Sequence, residues 1–239
     1  MEHAAHGLLE VAVLHARDVP GAVEGGADRL SLAVDGRSPD VPSASAVIRA
    51  SEVPVRVVLR LDDSYSTNGG DLMRLIGLGR EYLQLGAEGL SFGFLDVDLG
   101  IDVQTTRALA DSLPGVPWTF HRAIDATLEP RRAWRHLVGL PGLTAVATGG
   151  SPQGLEQGFD DVLELLASSP AVAPLLLAAG GLLPEHVPWL ARAGVRQFQV
   201  GEQVRPGGSE RAYVDAALVR SWRLLLTDVI ERHSTATGS

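Results

Sequence analysis

One unit recurs from end to end of this chain: a short β-rich apolar run followed by a helical stretch, about every 30 residues. The β-rich runs fall at 8–14, 27–34, 53–61, 89–95, 117–123, 143–149, 173–181 and 196–203. Helical stretches fill 43–51, 71–86, 103–113, 129–140, 154–169 and 184–194, and 212–233 closes the series. The period is clearest in 71–86, where Leu72, Leu75, Ile76, Gly79 and Leu83 share one stripe and Gly86 suits a helix stop. Only the first link, 17–26, is poor helix on propensity. Alternation of this kind demands a parallel sheet with right-handed crossovers. Eight units in 239 residues predict an α/β fold, a single (β/α)8 TIM-type barrel. The rival, an open doubly wound sheet, has about five to seven strands and a glycine fingerprint after the first. Here the first strand runs into His15-Ala16-Arg17-Asp18 instead. No linker or composition shift divides the chain, so 8–233 is expected to be one domain, with 1–7 and 234–239 as flexible ends.

Composition narrows the chemistry. There is no cysteine, which removes disulfides, thiolate metal sites and cysteine nucleophiles together. All 20 basic residues are arginine, so no lysine Schiff base or P-loop lysine exists. A net charge of −9, from 29 acids against 20 bases, argues against nucleic-acid partners. No apolar run approaches the roughly 20 residues of a membrane span. The start, Met1-Glu2-His3-Ala4-Ala5-His6, lacks the basic and apolar regions of a secretory signal, and the expected location is the cytoplasm.

Strand alternation sorts the side chains into two sets. Leu9, Val11 and Val13 alternate with Glu10, Ala12 and Leu14; Leu30, Leu32 and Val34 with Arg29, Ser31 and Ala33; Val55, Val57 and Leu59 with Arg56, Val58 and Arg60. Trp118 and Phe120 alternate with Thr119 and His121, and Phe198 and Val200 with Gln197 and Gln199. The uniformly apolar set must face the helices. The axis then receives Glu10, Arg29, Arg56, Arg60, His121, Thr148, Gln197 and Gln199.

Barrel interiors are normally branched aliphatic. Charges buried there must be paired, so two readings stay open for Glu10 and Arg29: a structural ion pair, or the floor of a site. Residues at the C-terminal strand ends, Arg60, Asp96, His121 and Arg122, occupy the positions where this fold builds its sites. In an enzyme reading, Glu10 and His121, with Asp125 four residues on, supply acid–base groups. Arg29, Arg60 and Arg122 would clamp a carboxylate or phosphate. Gly149-Gly150 and Gly180-Gly181 follow strands six and seven, where backbone N–H groups cradle anions, or else they only permit tight turns.

Several segments resemble the CutC copper-homeostasis family: Leu8-Leu9-Glu10, Gly25-Gly26-Ala27-Asp28-Arg29-Leu30, Phe92-Gly93-Phe94-Leu95-Asp96-Val97-Asp98, and above all Thr119-Phe120-His121-Arg122-Ala123-Ile124-Asp125. Thr148-Gly149-Gly150 and Ala179-Gly180-Gly181 continue the resemblance, which spans about residues 8–201. It implies a (β/α)8 barrel, a cytoplasmic role in copper handling and copper as the associated ion; no reaction comes with it. The family often carries cysteines after the first-strand glutamate, where this chain has Val11, Ala12 and Val13. Its Arg-Pro-Arg-Gly-Gly-Asp-Phe pattern becomes a longer acidic loop from Arg60 to Leu72, and its eighth-strand Glu-x-His becomes Gln197-Phe198-Gln199.

Cuprous ion prefers thiolate and thioether ligands. This chain offers only Met1 and Met73, and its histidines are scattered, with His3 and His6 at the start and only His121 at a strand end. Tight cuprous binding is therefore not expected; cupric or zinc binding by imidazole stays open as the weaker alternative, and copper enters only as what the resemblance implies. The expected ligand is a small anion. A third reading is a non-catalytic barrel acting through assembly, with Arg131, Arg132 and Arg135 on one helical face. Trp222, Leu224, Leu225 and Leu226 on the last helix would pack either on the barrel or on a second subunit of a homodimer or higher oligomer.

Overall fold

The computed structural model describes residues 6–237, with side chains through 233; the expectations for 1–5, 238–239 and the side chains of 234–237 lie outside these described residues. Eight strands close into a barrel in chain order, every neighbouring pair parallel: β1 (Leu8–Val13), β2 (Arg29–Leu32), β3 (Val55–Val58), β4 (Gly89–Phe92), β5 (Trp118–Phe120), β6 (Leu143–Thr148), β7 (Leu176–Ala178) and β8 (Gln197–Val200). Eight α-helices surround it: α1 (Val19–Glu24), α2 (Val41–Ala50), α3 (Gly69–Gln84), α4 (Val103–Asp111), α5 (Pro130–Leu137), α6 (Leu155–Ser168), α7 (His186–Arg192) and α8 (Ala216–Thr237). The (β/α)8 expectation holds.

The strands are shorter than their apolar runs because the loops beyond them also pack. Leu59, one residue past β3, is fully buried, while the Arg60 N–H leaves the ladder for the Ser38 hydroxyl at 2.9 Å. The unpromising first link does become helical, as a 3-10 turn over Ala16–Asp18 followed by α1. Its glycines are there for closeness: a Cβ on Gly21 would fall 2.0 Å from the Val214 carbonyl oxygen, and one on Gly25 would fall 2.3 Å from Val219 Cβ. The last helix starts later than its sequence pattern, at the N–H groups of Ala217 and Leu218 that donate to the Asp215 carboxylate. Trp222 and Leu226 of α8 are buried in the domain core, whereas Leu224 is exposed.

The two side-chain sets separate as alternation requires. Leu9, Val11, Leu30, Leu32, Val57, Phe92, Phe120 and Phe198 join one core between sheet and helices. Ala145, Ala147, Leu177 and Ala179 form a separate apolar group on the opposite side of the ladder. Thr148 is the correction. A register shift between Trp118 and Thr119 on the β5–β6 edge puts Ala145 and Ala147 inward. Thr148 then turns toward the helices, where its hydroxyl donates to Asp125 at 2.5 Å.

Candidate functional site at the barrel mouth

Below the mouth, the polar interior is an ion-pair network. Glu10 and Arg29 are Cα partners; Arg29 Nε donates to Glu10 Oε2, and Gln199 Nε2 donates to Glu10 Oε1 at 2.6 Å. Arg56 donates to Glu88 Oε2 at 2.9 Å and to the Thr119 hydroxyl at 2.7 Å. Each of these charges therefore has a partner, as burial demands.

Above it opens a cavity of about 320 Å³. The wall comes from strand ends and the loops after them: Ala12 and Leu14, Ser31 and Ala33, Val58 and Arg60. Ser91, Thr119, His121 and Arg122, Ala147 and Gln199 complete the circuit, with Tyr65 reaching in from the long loop after β3. Glu10, Arg29 and Arg56 each lie two residues before a lining residue, one inward-facing step deeper. Among the described residues no aspartate or glutamate lines this cavity, although the chain carries a net charge of −9.

Its two arginines are held differently. The Arg60 guanidinium lies over the Tyr65 ring, 4.4 Å from the centroid, and Nη2 donates to the Asp63 carbonyl. Its buried Nε has no hydrogen-bond partner among the described residues. Arg122 is nearly spent: Nε donates to Asp125 Oδ2 at 2.7 Å, and Nη2 to the Ser151 and Pro152 carbonyls at 3.0 and 3.3 Å. Only Nη1 remains, above Gly180, where φ is +81° and a Cβ would fall 2.5 Å from the guanidinium. Arg122 stands at the rim, because the 3-10 turn Arg122–Ala126 begins directly after His121.

His121 stays neutral. Burial, reinforced by the Arg60 charge, pushes its pKa down to about 4. Nδ1 accepts the Ala123 N–H at 3.2 Å, so the proton sits on Nε2. The sequence suggests a proton-exchanging histidine; in this setting it is a hydrogen-bond donor at neutral pH. The site can thus hold and polarise a negative or carbonyl oxygen.

Other sequence candidates stand elsewhere. Glu10 and Arg29 do not line the cavity, and the ion-pair reading describes their geometry. The Asp125 side chain is 2% exposed and bonded to Arg122, Thr148 Oγ1 and the Gly149 N–H, tying two mouth loops together. That carboxylate occupies the Gly149 N–H, and Thr148 Oγ1 occupies the Gly150 N–H, so neither is open to an outside anion. Gly180 and Gly181 both have left-handed φ and stand outside the cavity lining, with Gly180 against Arg122. Asp96 closes its own tight turn through the Asp98 and Gly100 N–H groups and does not line the cavity. Ser31, Ser91 and Tyr65 were not singled out by the sequence. Alternation already placed Ser31 inward, but nothing marked Tyr65 in its loop.

A buried pair also locks the rim. Arg205 grips Asp18 with both nitrogens, at 3.0 and 2.7 Å, joining the loops after β8 and β1. Burial alone would raise the Asp18 carboxyl, but bonds from Arg205, Leu14 N–H and Val214 N–H hold it below the usual carboxylate range. A larger groove, about 500 Å³, lies outside the barrel between α5 and α6; there Arg131, one of the three helical arginines, pairs with Glu164.

The CutC family model matches residues 7–203, most of the chain. This protein belongs to the CutC family. A CutC family protein from Enterobacter sp. (strain 638) is 29% identical over 202 residues, covering 80% of this chain and 78% of the relative. One from Klebsiella pneumoniae subsp. pneumoniae is 28% identical over 201 residues, with the same coverages. Among solved structures, the copper homeostasis protein CutC from Streptococcus agalactiae superposes with a TM-score of 0.71 at 19% identity, covering 82% of this chain and 98% of that one. Thiamine phosphate pyrophosphorylase from Pyrococcus furiosus shares the fold at a TM-score of 0.59 and 16% identity, covering 96% of this chain and all of its own. At these identities the superpositions speak for the barrel alone. Among the described residues no helix is long and apolar enough to cross a membrane.

Proposed function

We propose that this CutC protein binds a small anionic molecule at the barrel mouth, and that any part it plays in copper homeostasis runs through that ligand rather than through a tight cuprous site. The observation that carries the reading is the make-up of the lining: two arginines and a neutral histidine, with no aspartate or glutamate among its described residues, in an otherwise acidic chain. A guanidinium with unspent N–H groups in a partly dehydrated cleft is a strong partner for carboxylate or phosphate.

Copper fits the residues poorly. The chain has no cysteine, Met73 stands 63% exposed on α3, and no cluster of three His, Asp or Glu side chains among the described residues is placed to hold a metal. That donor set lacks the soft sulfur ligands cuprous ion prefers.

The test is thermal. Phosphate or a dicarboxylate at about millimolar concentration should raise the melting temperature by mass action, while chloride at equal ionic strength leaves it flat. Arg60→Ala should abolish the rise. An equal rise in that variant would remove the support for an anion site at the mouth.

A further inference from the structure

The polar groups lining the rest of the cavity specify more than charge. Gln199, which lines the cavity, spends one amide N–H on Glu10 Oε1; its carbonyl oxygen and second N–H bond no other described residue. The Thr119 hydroxyl already accepts from Arg56 Nη1, which leaves its own hydrogen as a donor. Ser31 and Ser91 line the same space with hydroxyls that bond no other described residue. The remaining wall is mostly aliphatic, from Ala12, Val13, Leu14, Ala33, Val58 and Ala147, with the Tyr65 ring on the side of Arg60. A bare dicarboxylate would leave the Gln199 carbonyl unmatched, and an aliphatic tail would leave all four groups unmatched, each at a cost. A ligand hydroxyl, donor and acceptor at once, satisfies them.

Building on the anion site proposed above, we infer that the ligand is a small polyhydroxylated anion, a sugar acid or sugar phosphate. Its charged head meets Arg60 and Arg122, and its hydroxyls reach the layer formed by Gln199, Thr119, Ser31 and Ser91. The volume agrees: 320 Å³ holds about ten waters at roughly 30 Å³ each, room for a chain of about five or six carbons.

Calorimetric titration with matched pairs tests this: D-gluconate against hexanoate, and ribose 5-phosphate against propyl phosphate, with neutral glucitol as a third arm. One hydroxylated anion should bind at least about tenfold more tightly than its hydroxyl-free counterpart. The preferred head then distinguishes carboxylate from phosphate. That preference should shrink to about threefold or less in the Ser31→Ala/Ser91→Ala double variant, which breaks no bond within the protein, and in Gln199→Leu. Equal binding of each pair by the wild type, abolished by Arg60→Ala, would overturn the hydroxyl inference and leave the anion site standing. No binding of any anion at about 10 mM, or glucitol binding as tightly as gluconate, would overturn both.

Discussion

Glu10 and Arg29 face each other across β1 and β2, with the carboxylate 2% and the guanidinium 7% exposed, one step below the floor of the mouth cavity. Gln199 takes the second carboxylate oxygen and carries the network up to the cavity wall. Removing one member leaves a charge buried without its counter-ion, which costs about 3–5 kcal/mol. Glu10→Ala and Arg29→Ala should each lose that much in urea unfolding, and Glu10→Met/Arg29→Met should lose clearly less than their sum. Single variants losing under about 1 kcal/mol would mean that water reaches the pair.

The barrel was legible because its signal is redundant: eight repeats of one period, with an apolar set on alternate strand residues. That Glu10 and Arg29 share the inward face was legible for the same reason, while the register that pairs them comes from how β1 and β2 meet. Thr148 was misplaced because a one-residue register shift at Trp118/Thr119 inverts every later inward assignment on β6. The loops were least legible. That Asp125 spends its carboxylate on the Gly149 N–H, Thr148 and Arg122 depends on how three mouth segments fold together, and no local pattern encodes it. The glycine pairs looked like anion cradles because their sequence is compatible with one; the internal carboxylate already fills the Gly149 position.

The family association with copper makes a negative expectation worth measuring. With no cysteine anywhere in the sequence and Met73 isolated on an exposed helix face, anaerobic titration against a chromogenic Cu(I) chelator should show no competition. A stoichiometric site of about nanomolar affinity or tighter would refute the argument from donor chemistry.

His121 gives the stability a pH dependence of known sign. Its pKa is 6.5 when unfolded and about 4 in the fold, so between these values only the unfolded chain takes up a proton. The stabilisation is complete above pH 6.5 and drains away as pH falls toward 4, by up to about 3 kcal/mol. Urea midpoints measured from pH 7.5 to 4.5 should fall less steeply in His121→Asn, whose side-chain oxygen can still accept the Ala123 N–H. Ring signals of His121 that titrate near pH 6.5 in NMR spectra would contradict the buried, neutral imidazole.

Gly180 and Gly181 offer a paired test of how the rim holds Arg122. Both have left-handed φ, +81° and +79°, so alanine is strained at either position by about 1–3 kcal/mol. Only at Gly180 would the new methyl meet a side chain, 2.5 Å from Arg122 Cζ and Nη1; at Gly181 nothing lies within 4 Å. Gly180→Ala must therefore push the guanidinium off its seat and loosen its bonds to Asp125, Ser151 and Pro152. Both variants should melt lower than the wild type. The rise in melting temperature with phosphate should survive in Gly181→Ala and weaken in Gly180→Ala, because strain alone leaves the Arg122 guanidinium on its seat. Equal responses in the two variants would show that Arg122 contributes nothing to anion binding and that Arg60 acts without it.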